Sequence, residues 1–430
     1  MRTLLVGALV LLLTLVPLVS GALSVLSTTL LISAGPTGLG ANNNSEYPAI
    51  SADGRWVVFE SWATDLIGAE TNGNSRNIFL WDSENDETIL VTKGESGDGA
   101  NGNSYRPTVS ADGSKVAFDS YALDLVGAPS SSQNSDVYVW DRATEQNTLI
   151  SVGVGGRDAD GSSYYAQISD DGTKVAYGSW AMNLNGAAPT NGYSSIFYSE
   201  VGSGHSTLVS VGYNGGDEGG TDNDCWDPAI SGDGLKVAYQ TSATNVLGAA
   251  SPNEINNVYV WDADVPLNTK LISAGPAGEG GNAASFEPSL SYDGSKVAFT
   301  SRATDLVGAV ANGEENIFIT DIATDTTHLI TVGGSGAGGN DWSGNPSLSA
   351  DGSKVAYESR ASDMLGAPVD TYDCQVFLCD VASLDNILVS AGPDDLGGND
   401  DSYSYVCALS ADGTKLTFES LAEDLVGAPT

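Results

Sequence analysis

The stretch Ser104-Tyr-Arg-Pro-Thr-Val-Ser-Ala-Asp-Gly-Ser-Lys-Val-Ala-Phe-Asp-Ser120 decides the fold. It holds two short runs rich in β-branched and aromatic residues, and Asp112-Gly113 joins them. Asp-Gly between two such runs is the strongest short signal for a β-hairpin. The stretch therefore predicts two antiparallel strands, here called A and B, with a tight turn between them.

Two further strands complete the unit. The runs Asp136–Asp141 and Thr148–Ser151 are again short and β-branched or aromatic, and a turn at residues 142–147 separates them. No stretch of the unit has the 3.6-residue periodicity of a helix. The unit is therefore predicted as four antiparallel strands, A to D.

The unit is repeated along nearly the whole chain, at steps of 58 to 62 residues between successive Asp-Gly pairs. A period of this size indicates an array of supersecondary units that bury their faces against neighbours, and four antiparallel strands per unit indicate the blade of a β-propeller. We therefore predict an all-β, seven-bladed propeller as a single domain over residues 23–430. The pairs are Asp53-Gly54, Asp112-Gly113, Asp171-Gly172, Asp233-Gly234, Asp293-Gly294, Asp351-Gly352 and Asp412-Gly413.

The unit resembles the TolB-like propeller repeat, which has the core Pro-x-x-Ser-x-Asp-Gly-x-x-Val-Ala-Phe. This pattern is seen here from Pro107 to Phe118, Pro288 to Phe299 and Pro346 to Tyr357. Strand C often ends in Trp-Asp, as at Trp140-Asp141, which resembles WD-repeat propellers without their Gly-His partner. The resemblance implies the fold. Its relatives range from protein-interaction modules to propellers attached to peptidases.

The N-terminus carries two predictions. Residues 1–22 have the features of a secretory signal peptide, with Arg2, an apolar run from Leu4 to Val19 and small residues up to Ala22. The mature protein is then expected to be secreted, extracellular or periplasmic, without a membrane span; an uncleaved anchor is the alternative.

The last repeat stops after its strand B, so we expect residues 28–33 to supply strand D of the seventh blade. Residues 23–26 are the remaining candidates for its strand C. An incomplete blade that accepts a strand from a neighbouring molecule is the alternative, and it would allow self-association at the surface.

Composition limits the partners. The chain has 55 Asp and Glu against 16 Lys and Arg, a net charge of −39, which disfavours nucleic acid and anionic membranes as ligands. A pair between Cys374 and Cys407 of neighbouring units is possible, and Cys225 is expected to stay reduced.

The candidate site lies where strand A enters the central channel, on the face of the long B–C and D–A loops. Residues that repeat in every unit are interpreted as structural, whereas a position that varies from blade to blade can form a unique site. One such position precedes the proline of strand A, and another lies at the end of strand B. The predicted ligand-binding residues are Tyr47, Arg106, Tyr165, Asp227 and Glu287 at the channel, with Trp62, Tyr121 and Trp180 as apolar walls.

Catalysis and metal binding have weaker signals. The only histidines, His205 and His328, fall in or beside C–D turns on the opposite face, which argues against a His-based triad or metal at the channel. No cofactor is predicted. The oxygen-rich runs Asp158–Gly161 and Asp222–Asp224 leave a calcium site open as an alternative, although neither has the full ligand set.

Three functions remain. The first is a secreted, non-catalytic propeller that binds a protein or polysaccharide at the cell surface through the long-loop face. The second is a carbohydrate-active hydrolase or lyase that uses Asp227 and Glu287. The third is a structural surface subunit that polymerises through the incomplete blade. Reversing both carboxylate charges is expected to remove binding with little change in melting temperature.

Overall fold

The structure is an all-β propeller with four-stranded antiparallel blades, as the repeat predicts. The computed structural model describes all residues except 1–8, 18–22, 36, 37, 39, 69, 70, 72, 74, 128–132, 187–191, 213–219, 247–253, 266–268, 309–311, 365–372, 392–406, 423, 424 and 426–430. Among the described residues, side chains are described from residue 29 onward.

Six sheets each consist of four strands that follow one another in the chain, paired in the order A-B-C-D. First strands of neighbouring sheets contact one another, so the A strands line the central channel. The strands are β3 (Ser45–Ile50), β4 (Trp56–Ser61), β5 (Asn77–Asp82) and β6 (Glu87–Leu90); β7 (Ser104–Val109), β8 (Lys115–Ser120), β9 (Asp136–Asp141) and β10 (Gln146–Leu149); β13 (Ser163–Ile168), β14 (Lys174–Ser179), β15 (Ser195–Glu200) and β16 (Ser206–Leu208); β17 (Cys225–Ile230), β18 (Lys236–Thr241), β19 (Asn257–Asp262) and β20 (Thr269–Leu271); β21 (Ser285–Leu290), β22 (Lys296–Ser301), β23 (Asn316–Asp321) and β24 (Thr326–Leu329); β25 (Ser343–Leu348), β26 (Lys354–Ser359), β27 (Gln375–Asp380) and β28 (Asn386–Leu388).

A further four-stranded sheet combines the two ends of the chain. Its order is β2 (Leu23–Leu31), β1 (Leu9–Pro17), β30 (Lys415–Ser420) and β29 (Ala408–Leu409). The outermost strand overlaps the predicted residues 28–33. The prediction for its neighbour was wrong, because Leu9–Pro17, and not residues 23–26, pairs with β30. An unbroken apolar run has the composition of a buried strand as well as of a signal peptide, so sequence pattern alone does not separate them.

One short hairpin lies outside the repeat. Strands β11 (Val152–Gly153) and β12 (Arg157–Asp158) pair with each other in the loop between β10 and β13. A bridge between Gly153 and Leu184 fixes this hairpin to the next blade.

The hydrophobic core lies between neighbouring blades. One buried cluster, for example, joins Val137 and Val139 of β9 to Val175 and Tyr177 of β14. Within each blade an aromatic residue of strand B stacks on one of strand C, as Phe59 does on Phe79 with ring centroids 5.8 Å apart. Each blade therefore needs a neighbour on both sides to bury its faces.

The A–B hairpins form what we call the hairpin face, and here the serine before each Asp-Gly has the predicted structural role. Ser110 Oγ accepts the N–H of Lys115 at 3.0 Å, while Asp112 Oδ1 accepts the N–H of Ser114 at 2.9 Å. Backbone hydrogen bonds between successive hairpins then run round the face. They join Asp53 to Ala111, Ala111 to Asp170, Asp170 to Gly232, Asp233 to Tyr292, Tyr292 to Ala350, Ala350 to Ala411, and Ala411 to Ala52.

The Asp-Gly glycine also makes the contact between blades. Gly113 has a φ of 66°, and an added Cβ would lie 2.2 Å from the Trp56 ring of the preceding blade. In the other blades a lysine takes the place of Trp56: the Nζ of Lys354, for instance, donates to Gly413 O at 2.9 Å. Glycine is required there by both backbone conformation and space.

The Asp and Asn residues that repeat in the long loops bond to one another. Asp65 Oδ1 accepts the N–H of Asn42, and Asn42 Oδ1 accepts the N–H of Thr64, each at 3.0 Å. This reciprocal pair ties a D–A loop to a B–C loop, which supports the structural interpretation of these positions. Over the described part of the chain, no helix is long and apolar enough to cross a membrane.

Candidate functional site

The predicted channel residues share one unusual backbone conformation. Each lies in strand A at a shift of register with strand B, and each has a positive φ although none is glycine. Non-glycine residues rarely adopt this conformation, and it turns the N–H away from its own sheet. The φ angles are 52° at Tyr47, 48° at Arg106, 56° at Tyr165, 48° at Asp227, 55° at Glu287 and 54° at Asn345, while the matched Val406 lies outside the described residues.

The displaced N–H groups bind side chains of the preceding blade, which the sequence analysis missed. The N–H of Arg106 donates to Glu60 Oε2 at 2.7 Å, and the N–H of Tyr165 donates to Asp119 Oδ1 at 3.2 Å. The N–H of Tyr47 donates to Glu419 Oε2 at 3.1 Å, across the two ends of the chain. The acceptors occupy one strand B position, which holds Glu60, Asp119, Gly178, Gln240, Thr300, Glu358 and Glu419.

A signal for this second ring was present in the sequence. The position lies between an aromatic residue and a Ser or Thr in a strand whose other residues are apolar. Acidic side chains there are buried, with Glu60 at 0% and Asp119 at 1% exposure. A charged residue inside a buried strand needs a specific partner, and this could have directed attention to it.

At the junction between blades five and six, the acceptor is Glu287 of strand A and not the side chain at the strand B position. Thr300 is too short to reach the next strand, and its hydroxyl instead donates to Glu287 Oε2 at 2.8 Å. The same Glu287 oxygen accepts the N–H of Asn345 at 2.9 Å. Glu287 therefore holds two blades together, and replacing it with lysine is expected to cost stability, in contrast to the small effect expected from sequence.

Two arginines neutralise part of the buried charge. Arg76 contacts Glu60 and lies 3.1 Å from Glu46, and it also stacks on Trp62 and Tyr105. Burial nevertheless raises the pKa of Glu60 to about 7, against the attraction of Arg76.

Arg106 is the second of these arginines. Its Nη1 lies 3.6 Å from Asp119 Oδ2, and its guanidinium stacks on the Tyr165 ring at 4.1 Å. Burial raises the pKa of Asp119 to about 6, although Arg106 opposes the shift.

The five predicted channel residues come together in one site, which we call the channel mouth. Tyr47 interacts electrostatically with Arg106 and Tyr165, and burial raises the pKa of its phenol to about 12. Asp227 interacts with both Arg106 and Glu287. Burial and the charge of Glu287 raise the pKa of Asp227 to about 6. Burial also raises the pKa of Glu287.

The three predicted apolar walls directly follow strands β4, β8 and β14 of blades one to three, on the same face as the mouth. Tyr121 and Trp180 are 46% and 39% exposed, and Trp62 packs against Arg76. Trp180 meets Trp226 edge to face with ring centroids 5.7 Å apart, and Trp226 stacks on Tyr164. Trp226 was missed, although it directly precedes Asp227. Tyr121 meets Tyr105 edge to face, so the rings form one group on blade two and another across blades three and four.

The calcium candidates use their oxygens inside the fold. Asp160 Oδ1 accepts the N–H of Met182, and Asp222 accepts the N–H and hydroxyl of Thr244. Among the described residues, no group of three or more His, Cys, Asp or Glu side chains has an arrangement that would hold a metal ion. No disulfide joins Cys374 to Cys407, and both are buried thiols.

Solved structures show which proteins share this architecture. An oligogalacturonate lyase in complex with manganese superposes with a TM-score of 0.53 at 14% identity, covering 96% of this chain and 97% of that chain. An oligogalacturonate lyase from Vibrio parahaemolyticus gives 0.53 at 13% identity, with 96% and 98% covered. TolB from Acinetobacter baumannii gives 0.42 at 14% identity, and the match spans 81% of this chain and 61% of TolB.

The chain shares the β-propeller fold with these lyases, and the prediction of a propeller repeat is confirmed at the level of the fold. No family model and no curated protein sequence matches the chain. At 13–14% identity the likeness concerns the fold alone, so function has to be argued from the channel mouth.

Proposed function

We propose that the protein is a non-catalytic binding propeller whose channel mouth holds a protein or polymer ligand. The observation that carries the proposal is that Tyr47, Arg106, Tyr165, Asp227 and Glu287, which differ from blade to blade on a backbone that repeats, lie together on the face that carries exposed aromatic rings. Rigid aromatic surfaces beside a few oriented polar groups are typical of binding sites.

The test is a binding screen on peptide and polysaccharide arrays with site-directed variants. The double variant Tyr165→Ala/Trp180→Ala is expected to lose binding of any ligand that the wild type retains. The matched control is Tyr292→Ala, since Tyr292 is a 48% exposed aromatic residue on the hairpin face. A ligand whose affinity falls only in the control variant would refute the proposal.

A carbohydrate-active enzyme is the second candidate. One observation favours it: Asp227, whose pKa burial and the charge of Glu287 raise to about 6, interacts with Glu287, and a pair of carboxylates is the usual machinery of glycoside hydrolysis. Incubation with oligogalacturonate and neutral polysaccharides, followed by detection of new reducing ends or unsaturated products, tests it. Activity that Asp227→Asn abolishes would replace the binding proposal.

We infer that the sheet formed by the two chain ends is the seventh blade of a closed ring. The hydrogen bonds from Ala411 to Ala52 and from Tyr47 to Glu419 support closure, because they cross the ends in the way that equivalent bonds join the other blades. Deleting residues 1–33 removes both outer strands and is expected to cause aggregation or a large loss of stability. A truncated protein that melts like the full chain would refute closure.

Removal of a signal peptide and closure of the ring by β1 involve the same residues, so both cannot occur in one molecule. The proposed secretory signal covers β1, so cleavage after Ala22 would remove the strand that pairs with β30. N-terminal sequencing of protein from the culture medium or periplasm tests export. Light scattering of that material then distinguishes a monomer, in which the remaining N-terminal strand closes the blade, from polymers that exchange strands.

A further inference from the structure

The arginines of the channel mouth already have partners. Arg76 lies between Glu46 and Glu60, and Arg106 lies beside Asp119 and against the Tyr165 ring. An anionic ligand would have to compete with these carboxylates for each guanidinium. Arg106, the one arginine among the five residues of the mouth, therefore offers little free positive charge to an acidic sugar or an acidic peptide.

The carboxyl groups among the five residues of the mouth are those of Asp227 and Glu287, and the neighbouring Glu419 has a third. None of the three has an ion pair with a Lys or Arg among the residues that the structure describes. Burial raises the pKa of each of them, to about 6 for Asp227 and about 8 for Glu419, with Glu287 raised in the same direction. A cation that enters the mouth would compensate the charge that burial disfavours.

Aromatic rings lie on the two blades that flank Asp227, and one of them, Tyr165, interacts with it electrostatically. The Trp226 ring stacks on Tyr164 and meets Trp180, and Tyr164 meets Tyr165 edge to face. One connected group of rings therefore reaches from Trp180 to Tyr165, the ring that interacts with Asp227. An ammonium or guanidinium group binds most strongly where aromatic faces and carboxylates combine.

We propose that the channel mouth recognises a basic segment of a protein partner and takes a Lys or Arg side chain between the Trp226 and Tyr165 rings and the carboxylates of Asp227 and Glu287. The proposal rests on the proposed binding function of the mouth and specifies its ligand class. The net charge of −39 favours a basic partner further, because long-range attraction accelerates the encounter of opposite charges.

The test uses short acetylated, amidated peptides: trilysine, triarginine and triglutamate, with trigalacturonate as the acidic sugar. Affinities are measured by calorimetry at about 0.15 M salt, where weak attraction to the outer surface is screened. The variant Asp227→Asn/Glu287→Gln removes two charges and keeps the oxygen that accepts the Asn345 N–H. The control Glu84→Gln/Glu87→Gln removes two charges from exposed positions in the C–D turn of the first blade.

The expected result is that trilysine or triarginine binds, that affinity falls on the order of tenfold or more in Asp227→Asn/Glu287→Gln, and that the control stays within about twofold of wild type. Equal losses in both variants, or no binding of either cationic peptide, would overturn the basic-partner inference. Binding of trigalacturonate that Tyr165→Ala/Trp180→Ala abolishes would also overturn it while leaving the proposed function intact. If neither variant of the mouth affects any probe that binds, both proposals fail.

Discussion

The two ends of strands A and B differ in how strictly the repeat is kept. At the hairpin face, Ser, Asp and Gly occupy the same positions in every blade, and each makes the same hydrogen bond or contact. At the channel mouth the backbone repeats, with the same positive φ, but the side chains change from Tyr to Arg to Asp to Glu. The backbone geometry is therefore shared by the six blades in which this position is described, while the chemistry is particular to each, so a unique site can form in a repetitive fold.

The largest loss of stability is expected at the strand B position that accepts the displaced N–H groups, here called the acceptor ring. Replacing Glu60 with alanine removes the partner of the Arg106 N–H and of the Arg76 side chain, at a position with 0% exposure. Breaking a buried ion pair by removing one partner costs about 3–5 kcal/mol of unfolding free energy. Urea denaturation measures it.

The control for that experiment is Glu84→Ala, because Glu84 forms an exposed pair with Arg55. Loss of such a pair costs less than about 1 kcal/mol. If Glu60→Ala is as stable as Glu84→Ala, the acceptor ring does not join the blades.

The next effect concerns the hairpin face. Gly113→Ala places a Cβ 2.2 Å from Trp56 on a backbone with positive φ, whereas Gly97→Ala has a φ of 83° but nothing within 4 Å. The left-handed conformation costs alanine about 1 kcal/mol in both, and the clash adds about 1–3 kcal/mol only at Gly113. Thermal unfolding of the two variants separates the cost of the backbone conformation from the cost of the clash with Trp56. Equal destabilisation would mean that the hairpin glycine serves its own turn and not the blade interface.

These residues also mark how far the sequence could be interpreted. The Asp-Gly spacing predicts the four-stranded blades, because turn type and strand alternation are local properties. The repeat also predicts that the matched strand A positions lie at one mouth, because each precedes the same point of its unit. These positions hold Tyr47, Arg106, Tyr165, Asp227 and Glu287. Glu60 and Asp119 stand out locally as acidic residues in apolar strands, but their partners lie in the next blade, 46 residues away along the chain, so no local pattern identifies the contact. The pairing of Leu9–Pro17 with β30 was missed because an apolar strand and a signal peptide share one composition.

A third prediction uses pH at the channel mouth. The pKa of Asp227 rises from 3.8 to about 6 in the folded protein, where Glu287, Arg106 and Tyr165 face it. The protonated form thus stabilises the native state below about pH 4, and this contribution is lost as the pH rises through about 6. Asp227→Asn is therefore expected to match the wild type at pH 4 and to exceed it by about 1–2 kcal/mol at pH 7.5. A stability difference that does not change with pH would mean that Asp227 ionises at no cost.

The smallest stability effect is expected at the aromatic walls. Trp180 is 39% exposed and contacts Trp226 at one edge, so Trp180→Ala should lower the unfolding free energy by about 1 kcal/mol or less. Its effect on ligand affinity should be larger than its effect on stability, because an exposed ring beside a binding site contributes most when a ligand covers it. The comparison with Tyr292→Ala, on the hairpin face at 48% exposure, uses the same two measurements. Both substitutions should be tolerated by the fold, and only Trp180→Ala should weaken binding, since Trp180 lies on the face of the channel mouth and Tyr292 lies on the hairpin face.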